Sequence, residues 1–148
     1  MPTTPRPLEV QVIRRYPHLL ERVYRAWTQP DHLRQWFRPY DNVTLDIVEY
    51  DLREGGRYAF HFTWPESKFL LRGRFLTVQP EQCLIFTWVP EPPDVDAGKE
   101  TLVSVFFRAV SPGQTEVEVR HTLFPDEGMR GRHEGCWNST LDQLLKRL

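Results

Sequence analysis

Cysteine is scarce in this chain: Cys83 and Cys136 are the only two in 148 residues, far apart and without CxxC spacing. A small secreted domain held by disulfides carries more, so two reduced thiols in a cytoplasmic protein are expected. Net charge is almost absent too, at −1, with a sequence pI of about 6.5. That balance gives no electrostatic pull toward nucleic acid or an anionic membrane surface. Lysine is rare, since 16 of the 19 cationic residues are arginines, and they are spread out as solvated surface rather than gathered into a phosphate track. No run approaches the roughly 20 apolar residues that cross a bilayer. The opening "MPTTPRPLEV" has no basic segment followed by an apolar signal-peptide core. Membrane insertion is therefore not expected.

Reaction signatures are missing as well. There is no GxSxG elbow, no glycine-rich phosphate loop, no HExxH, no HxE…PCxxC and no convincing carboxylate pair. Neither a metal nor a cofactor is expected, and binding is favoured over catalysis. What the chain does hold is aromatic: Trp, Tyr and Phe make up 13% of it, enough for a large core or an aromatic-lined pocket. Its length suits one domain over residues 1–148, with a flexible N-terminus at 1–7, and buries roughly two-thirds of the unfolded surface.

"LEVQVIRRY" alternates apolar and polar residues as a half-buried strand does. "HLLERVYRAWT" then places Leu20, Val23, Tyr24 and Trp27 on one face of a short helix. Pro30 and Asp31 restart the chain as a second short helix carrying Leu33, Trp36 and Phe37, which Pro39 ends. Gln29 stands before that proline and makes a weak cap. From Val43 to Leu123 the period is two, with turns at Glu54-Gly55-Gly56, Pro65-Glu66-Ser67, Pro80-Glu81-Gln82 and Ser111-Pro112-Gly113, the pattern of an antiparallel sheet.

In "RYAFHFTW" Tyr58, Phe60, Phe62 and Trp64 share one face, opposite Arg57, Ala59, His61 and Thr63. In "KFLLRGRFLTV" Phe69, Leu71, Gly73 and Phe75 oppose Arg72 and Arg74. "TEVEVRHTLF" puts Val117, Val119, His121 and Leu123 inward and Glu116, Glu118 and Arg120 outward. Both faces of "CLIFTWV" and "LVSVFFRA" are apolar, so periodicity does not choose an inward face there. "PEPPDVDAGK" is the longest connection and is placed to cover a cavity mouth.

The chain closes on "HEGCWNSTLDQLLKRL". Here Trp137, Leu141, Leu144, Leu145 and Leu148 form an apolar stripe from a helix starting near Asp126. Gly128, Gly131 and Gly135 weaken the first half of that helix by about 1 kcal/mol each relative to alanine. The expected reason at Gly135 is close packing on a strand, compatible with a half-turn that opens over a cavity. His133 and Cys136, at i and i+3, share a helix face as two metal ligands would, yet no set of four ligands completes a site.

One long amphipathic helix after seven antiparallel strands needs a curved sheet to bury its stripe. The expected fold is α+β of the helix-grip kind: a seven-stranded curved antiparallel sheet around a long C-terminal helix, with two short helices between strands 1 and 2. "RVYRAWTQPDHLRQWF", "DLREGGRYAF", "FLTVQPEQCLIFTW", "TEVEVRHTLF" and "HEGCWNSTLDQLLKRL", in this order, resemble the successive signatures of the SRPBCC or START-like superfamily, the birch-pollen-allergen-like fold. Within it the chain is similar to the bacterial branch named after the C-terminal domain of the activator of the ninety-kilodalton heat-shock protein ATPase. The resemblance covers nearly the whole chain from about Leu8. It implies a cavity between sheet and helix for a small hydrophobic or amphipathic molecule, and a homodimer is compatible with such folds.

The residues expected to line that cavity are Trp36, Tyr58, Phe60, Phe62, Trp64, Phe75, Phe86, Trp88, His121, His133 and Trp137, with His121 as a polar anchor. Two other functions stand beside ligand binding. One is a cyclase- or hydrolase-like enzyme, which requires His121 to converge with Glu134, Tyr58 or another polar group inside the cavity. The other is an interaction module regulating a heat-shock ATPase, which requires a distinctive patch on the convex face.

Overall fold

The computed structural model describes residues 8–148, so the expected flexible N-terminus at 1–7 lies outside the described residues. Strand β1 (Val10–Tyr16) leads into helices α1 (Leu20–Thr28) and α2 (Pro30–Trp36). Six strands follow: β2 (Thr44–Tyr50), β3 (Arg57–Thr63), β4 (Lys68–Gln79), β5 (Cys83–Pro90), β6 (Thr101–Ser111) and β7 (Gln114–Thr122). Helix α3 (Glu127–Arg147) closes the chain. The sheet is antiparallel throughout, in the order β1-β7-β6-β5-β4-β3-β2. This is the expected α+β helix-grip fold. Among the described residues no helix is long and apolar enough to cross a membrane.

Local chemistry sets most of the boundaries. Pro30 occupies the first turn of α2, where its missing N–H costs nothing, and Gln29 makes no side-chain cap, in line with the weak cap read from sequence. Asp126 caps α3, its carboxylate accepting from the Met129 N–H at 2.8 Å. The sheet bends through register shifts in β2 at Ile47/Glu49 and between β4 and β5 at Phe75/Thr77, since an extra residue on one strand increases local twist.

Near the second of these shifts, Gly73 makes room for Tyr58. The two residues are cross-strand partners. The Tyr58 ring lies against the bare Gly73 backbone, and its hydroxyl donates to the Thr87 carbonyl on β5. The Arg74 N–H turns to the Thr87 hydroxyl at 2.9 Å.

Helix α3 lies across the concave face. Trp137, Leu141 and Leu144 are buried, and the Tyr16 hydroxyl on β1 donates to the Leu141 carbonyl at 3.0 Å. Two inward assignments change. Leu145 is exposed: it sits about 80° around the helix from Trp137, and the face that turns inward runs to the other side, through His133 and Thr140. Leu123 is also exposed, because the strand ends at Thr122 and Leu123 adopts a left-handed backbone, φ 69°, uncommon for such a side chain. The turn hands the buried position to Phe124.

Gly135 corrects a third expectation. A Cβ at Gly135, or at Gly131, would meet nothing within 4 Å, so neither glycine allows close packing on a strand. They are helix interruptions facing open space. Gly131→Ala and Gly135→Ala should therefore each raise stability by about 1 kcal/mol, giving roughly 2–4 °C in melting temperature per substitution in a chain of this size. Thermal unfolding followed by circular dichroism checks this.

Candidate functional site

Between the N-terminal half of α3 and the β3–β4–β5 side of the sheet lies a cavity of about 200 Å³. Its aromatic wall comes from Phe62 on β3, Phe69 on β4, Trp88 on β5 and Trp137 on α3, with Trp64 beyond the end of β3 and Phe37 after α2. Helix α3 contributes His133, Cys136, Trp137 and Thr140, spaced i, i+3, i+4 and i+7, so one helical face forms the roof.

Behind this cavity is a smaller void of about 30 Å³, bounded among others by Trp27, Tyr50, Tyr58, Phe60, Phe75 and Phe86. Phe37 and Trp88 line both spaces, their rings edge to face with centroids 6.5 Å apart. Together they form the partition.

The residues expected at the cavity thus divide into three groups. Phe62, Trp64, Trp88, His133 and Trp137 line the main cavity, while Tyr58, Phe60, Phe75 and Phe86 line the deep void. Trp36 and His121 line neither. Trp36 is buried in the seam of α1 and α2, where its indole N–H donates to the Ala26 carbonyl at 2.8 Å.

His121 is fully buried one layer behind the wall. The Trp137 indole N–H reaches its Nδ1 at 3.0 Å, and its Nε2 lies 2.6 Å from the Thr101 hydroxyl. An indole nitrogen only donates, so Nδ1 must accept and the proton resides on Nε2. Thr101 then donates onward to the Trp88 carbonyl at 3.1 Å. His133 repeats the arrangement: its Nε2 accepts from the Trp88 indole at 3.2 Å, and its Nδ1 donates to the Met129 carbonyl at 2.9 Å.

Both imidazoles are therefore held neutral by tryptophan donors. Burial pushes the His121 pKa well below its ordinary value, reinforced by the neighbouring His133. Burial also lowers that of His133, against an opposing pull from the Met129 carbonyl.

This packing bears on the chemical alternatives. His121 does not converge with Glu134, whose carboxylate pairs with Arg130 at 3.0 Å on the surface, nor with Tyr58, whose hydroxyl is engaged by Thr87. Both ring nitrogens of His133 are occupied. Among the described residues no group of three His, Cys, Asp or Glu side chains is placed to hold a metal ion. Cys136 lines the cavity at its solvent-exposed edge, and partial desolvation raises the pKa of its thiol.

The mouth carries the polar groups. The 91–100 connection brings Asp94 and Asp96 to the rim opposite Arg132. The almost wholly buried Asp96 carboxylate accepts from Arg132 at 2.7 Å and from Lys99 at 3.0 Å. Burial, the largest single influence, would raise its pKa, but these hydrogen bonds together with the positive charges of Arg132 and Lys99 hold it below the ordinary value. Arg132–Asp96, together with Lys99–Asp126 at the cap of α3, thereby ties the long connection to the helix across the entrance.

Phe37, Pro39, Phe69, Asp94, Asp96, Arg132, Cys136 and Thr140 also line the cavity and are not among the residues expected there from sequence. The signal available was the i, i+3, i+4, i+7 spacing from His133 to Thr140. Its His, Cys and Thr hide it from a reading based on hydrophobicity. Phe69 lay on the face already read as opposite to Arg72 and Arg74.

The sequence model for the family described as Activator of Hsp90 ATPase homolog 1-like protein matches residues 18–148. Among curated proteins none matches the chain. Protein CV1439 from Chromobacterium violaceum superposes with a TM-score of 0.83 at 24% identity, covering 93% of this chain and 94% of that one. For protein NE0264 from Nitrosomonas europaea the TM-score is 0.76 at 27% identity, with 95% and 93% covered. For the AHSA1 (SPO3351) protein from Silicibacter pomeroyi it is 0.81 at 22%, with 93% and 95% covered.

Proposed function

The chain belongs to the Activator of Hsp90 ATPase homolog 1-like protein family, and from that premise we propose that it binds a small, neutral, largely apolar molecule in the cavity beneath α3. The observation that carries this reading is the cavity itself, about 200 Å³ with a mostly aromatic wall. The cavity opens to solvent beside Arg132 and Cys136, both exposed, so its aromatic wall is apolar surface that a guest would remove from water. An apolar cavity of roughly 150 Å³ holds a benzene-sized guest. Scaling from that, the space here suits a molecule of roughly eight non-hydrogen atoms. The two rim carboxylates, Asp94 and Asp96, are balanced in formal charge only with Arg132 and Lys99 counted together, both paired to Asp96, which favours a guest without net charge. A buried unpaired charge would cost far more than the apolar contacts return.

Trp64, Trp88 and Trp137 in the wall provide the assay. Titration with a single-ring hydrocarbon should change tryptophan fluorescence saturably, and Cys136→Phe, which places a ring in the cavity from the roof, should abolish the change while leaving the circular dichroism spectrum intact. An unsaturable response, or one indifferent to Cys136→Phe, would count against the cavity as the site.

A further inference from the structure

Three of the buried tryptophans donate their indole N–H within the protein: Trp36 to the Ala26 carbonyl, Trp88 to His133 and Trp137 to His121. Trp27 is equally buried, but its Nε1–H has no acceptor among the described residues. A buried donor left without a partner costs about 1–3 kcal/mol, and nearly all such groups in folded proteins are satisfied. Trp27 packs against Trp36 at 4.8 Å, edge to face, and against Trp137, stacked at 6.4 Å. The space it borders is the deep void behind Phe37 and Trp88.

From this we infer that the deep void is the polar end of the binding site, where the Trp27 indole N–H receives one hydrogen-bond acceptor carried at the buried end of the ligand. The inference rests on the cavity-binding reading above and narrows the ligand class. The other polar side chains on the void are Tyr50 and Tyr58, and both hydroxyl protons are committed, to the Thr28 and Thr87 carbonyls. One free donor remains, so one acceptor is matched. Among the described residues no cationic side chain borders the void, so the acceptor is an uncharged oxygen, as in an aryl or alkyl ketone, ester or ether, and not a carboxylate. At about 30 Å³ the void takes one such group. The apolar body stays in the main cavity, and the ligand reaches the void only when the Phe37 and Trp88 rings of the partition move apart.

Acetophenone and α-methylstyrene test this, being nearly the same shape with C=O in one replaced by C=CH₂ in the other. In protein labelled with ¹⁵N-tryptophan, which carries five indoles, with the Trp27 signal assigned by its loss in Trp27→Phe, acetophenone should move the Trp27 indole proton downfield and α-methylstyrene should not. The ratio of the two dissociation constants should shift about tenfold toward the hydrocarbon in Trp27→Phe, because a ketone then enters without its donor. If Trp27→Phe does not fold, the indole signal in the unaltered protein, assigned there by sequential resonance assignment, decides. Binding of both compounds with no ketone-specific movement of Trp27 overturns the anchor and leaves the cavity reading standing. Failure of both to bind overturns the two together.

Discussion

Replacing Gly73 by alanine should destabilise the protein by about 3 kcal/mol, at the upper end of overpacking penalties, and lower its melting temperature by roughly 9 °C. A Cβ at this position would fall well inside contact distance of the Thr87 carbonyl oxygen and 2.6 Å from a ring carbon of Tyr58. Neither neighbour can yield cheaply. The first is backbone of the adjacent strand, and the second is a fully buried ring tethered by its hydroxyl to that same carbonyl. Gly135→Ala is the internal control: the same chemical change in open space should stabilise. Opposite signs for the two substitutions distinguish steric exclusion at Gly73 from a general effect of alanine. A neutral Gly73→Ala would mean that Tyr58 does not cross the sheet as described.

Acid should also weaken the fold well before its carboxylates titrate. Folding holds His121 and His133 below their ordinary value of 6.5, so below that pH the unfolded chain binds protons that the folded one refuses. Their contribution is complete above pH 6.5 and is lost as pH falls toward the folded values, at about 1.4 kcal/mol per pH unit for each histidine. Urea unfolding between pH 7.5 and 5 should show this slope. Asp96 and Glu118 have ordinary values of 3.8 and 4.5, so their losses fall in a separate, more acidic window.

His121→Leu should remove roughly half of the slope. At neutral pH it should also cost about 1–3 kcal/mol, since the Trp137 indole loses its acceptor inside the core. A stability curve flat between pH 7 and 5.5 would contradict the neutral, tryptophan-bound state of both rings.

The architecture was legible in the sequence because its signals are periodic and locally punctuated. Alternation in "RYAFHFTW" placed Tyr58, Phe60 and Phe62 on the buried face. Pro30 and the turn triplets marked where elements stop. What the pattern missed depends on backbone geometry or on tertiary partners. Continuing the alternation of β7 put Leu123 inward, but a left-handed residue breaks the count and substitutes Phe124. Leu145 looked like part of the stripe because its type fits, while the sheet embraces the flank carrying His133 and Thr140 instead.

His121 was rightly read as inward, but sequence distance does not reveal that Trp137 and Thr101 close over it. The glycines of α3 and the glycine of β4 look alike in one-letter code. Only the neighbours of each separate an interruption at Gly135 from a required absence of side chain at Gly73.

On the proposal made above, the space beneath α3 is a binding site and not a packing defect. Diffraction from crystals soaked in bromobenzene tests this most directly, because bromine is located by its anomalous signal. The expected result is a single ordered bromine between Phe62, Trp88 and Trp137, with the aromatic walls otherwise undisturbed. A cavity closed by movement of those rings, or filled by ordered water with bromobenzene excluded, would contradict it.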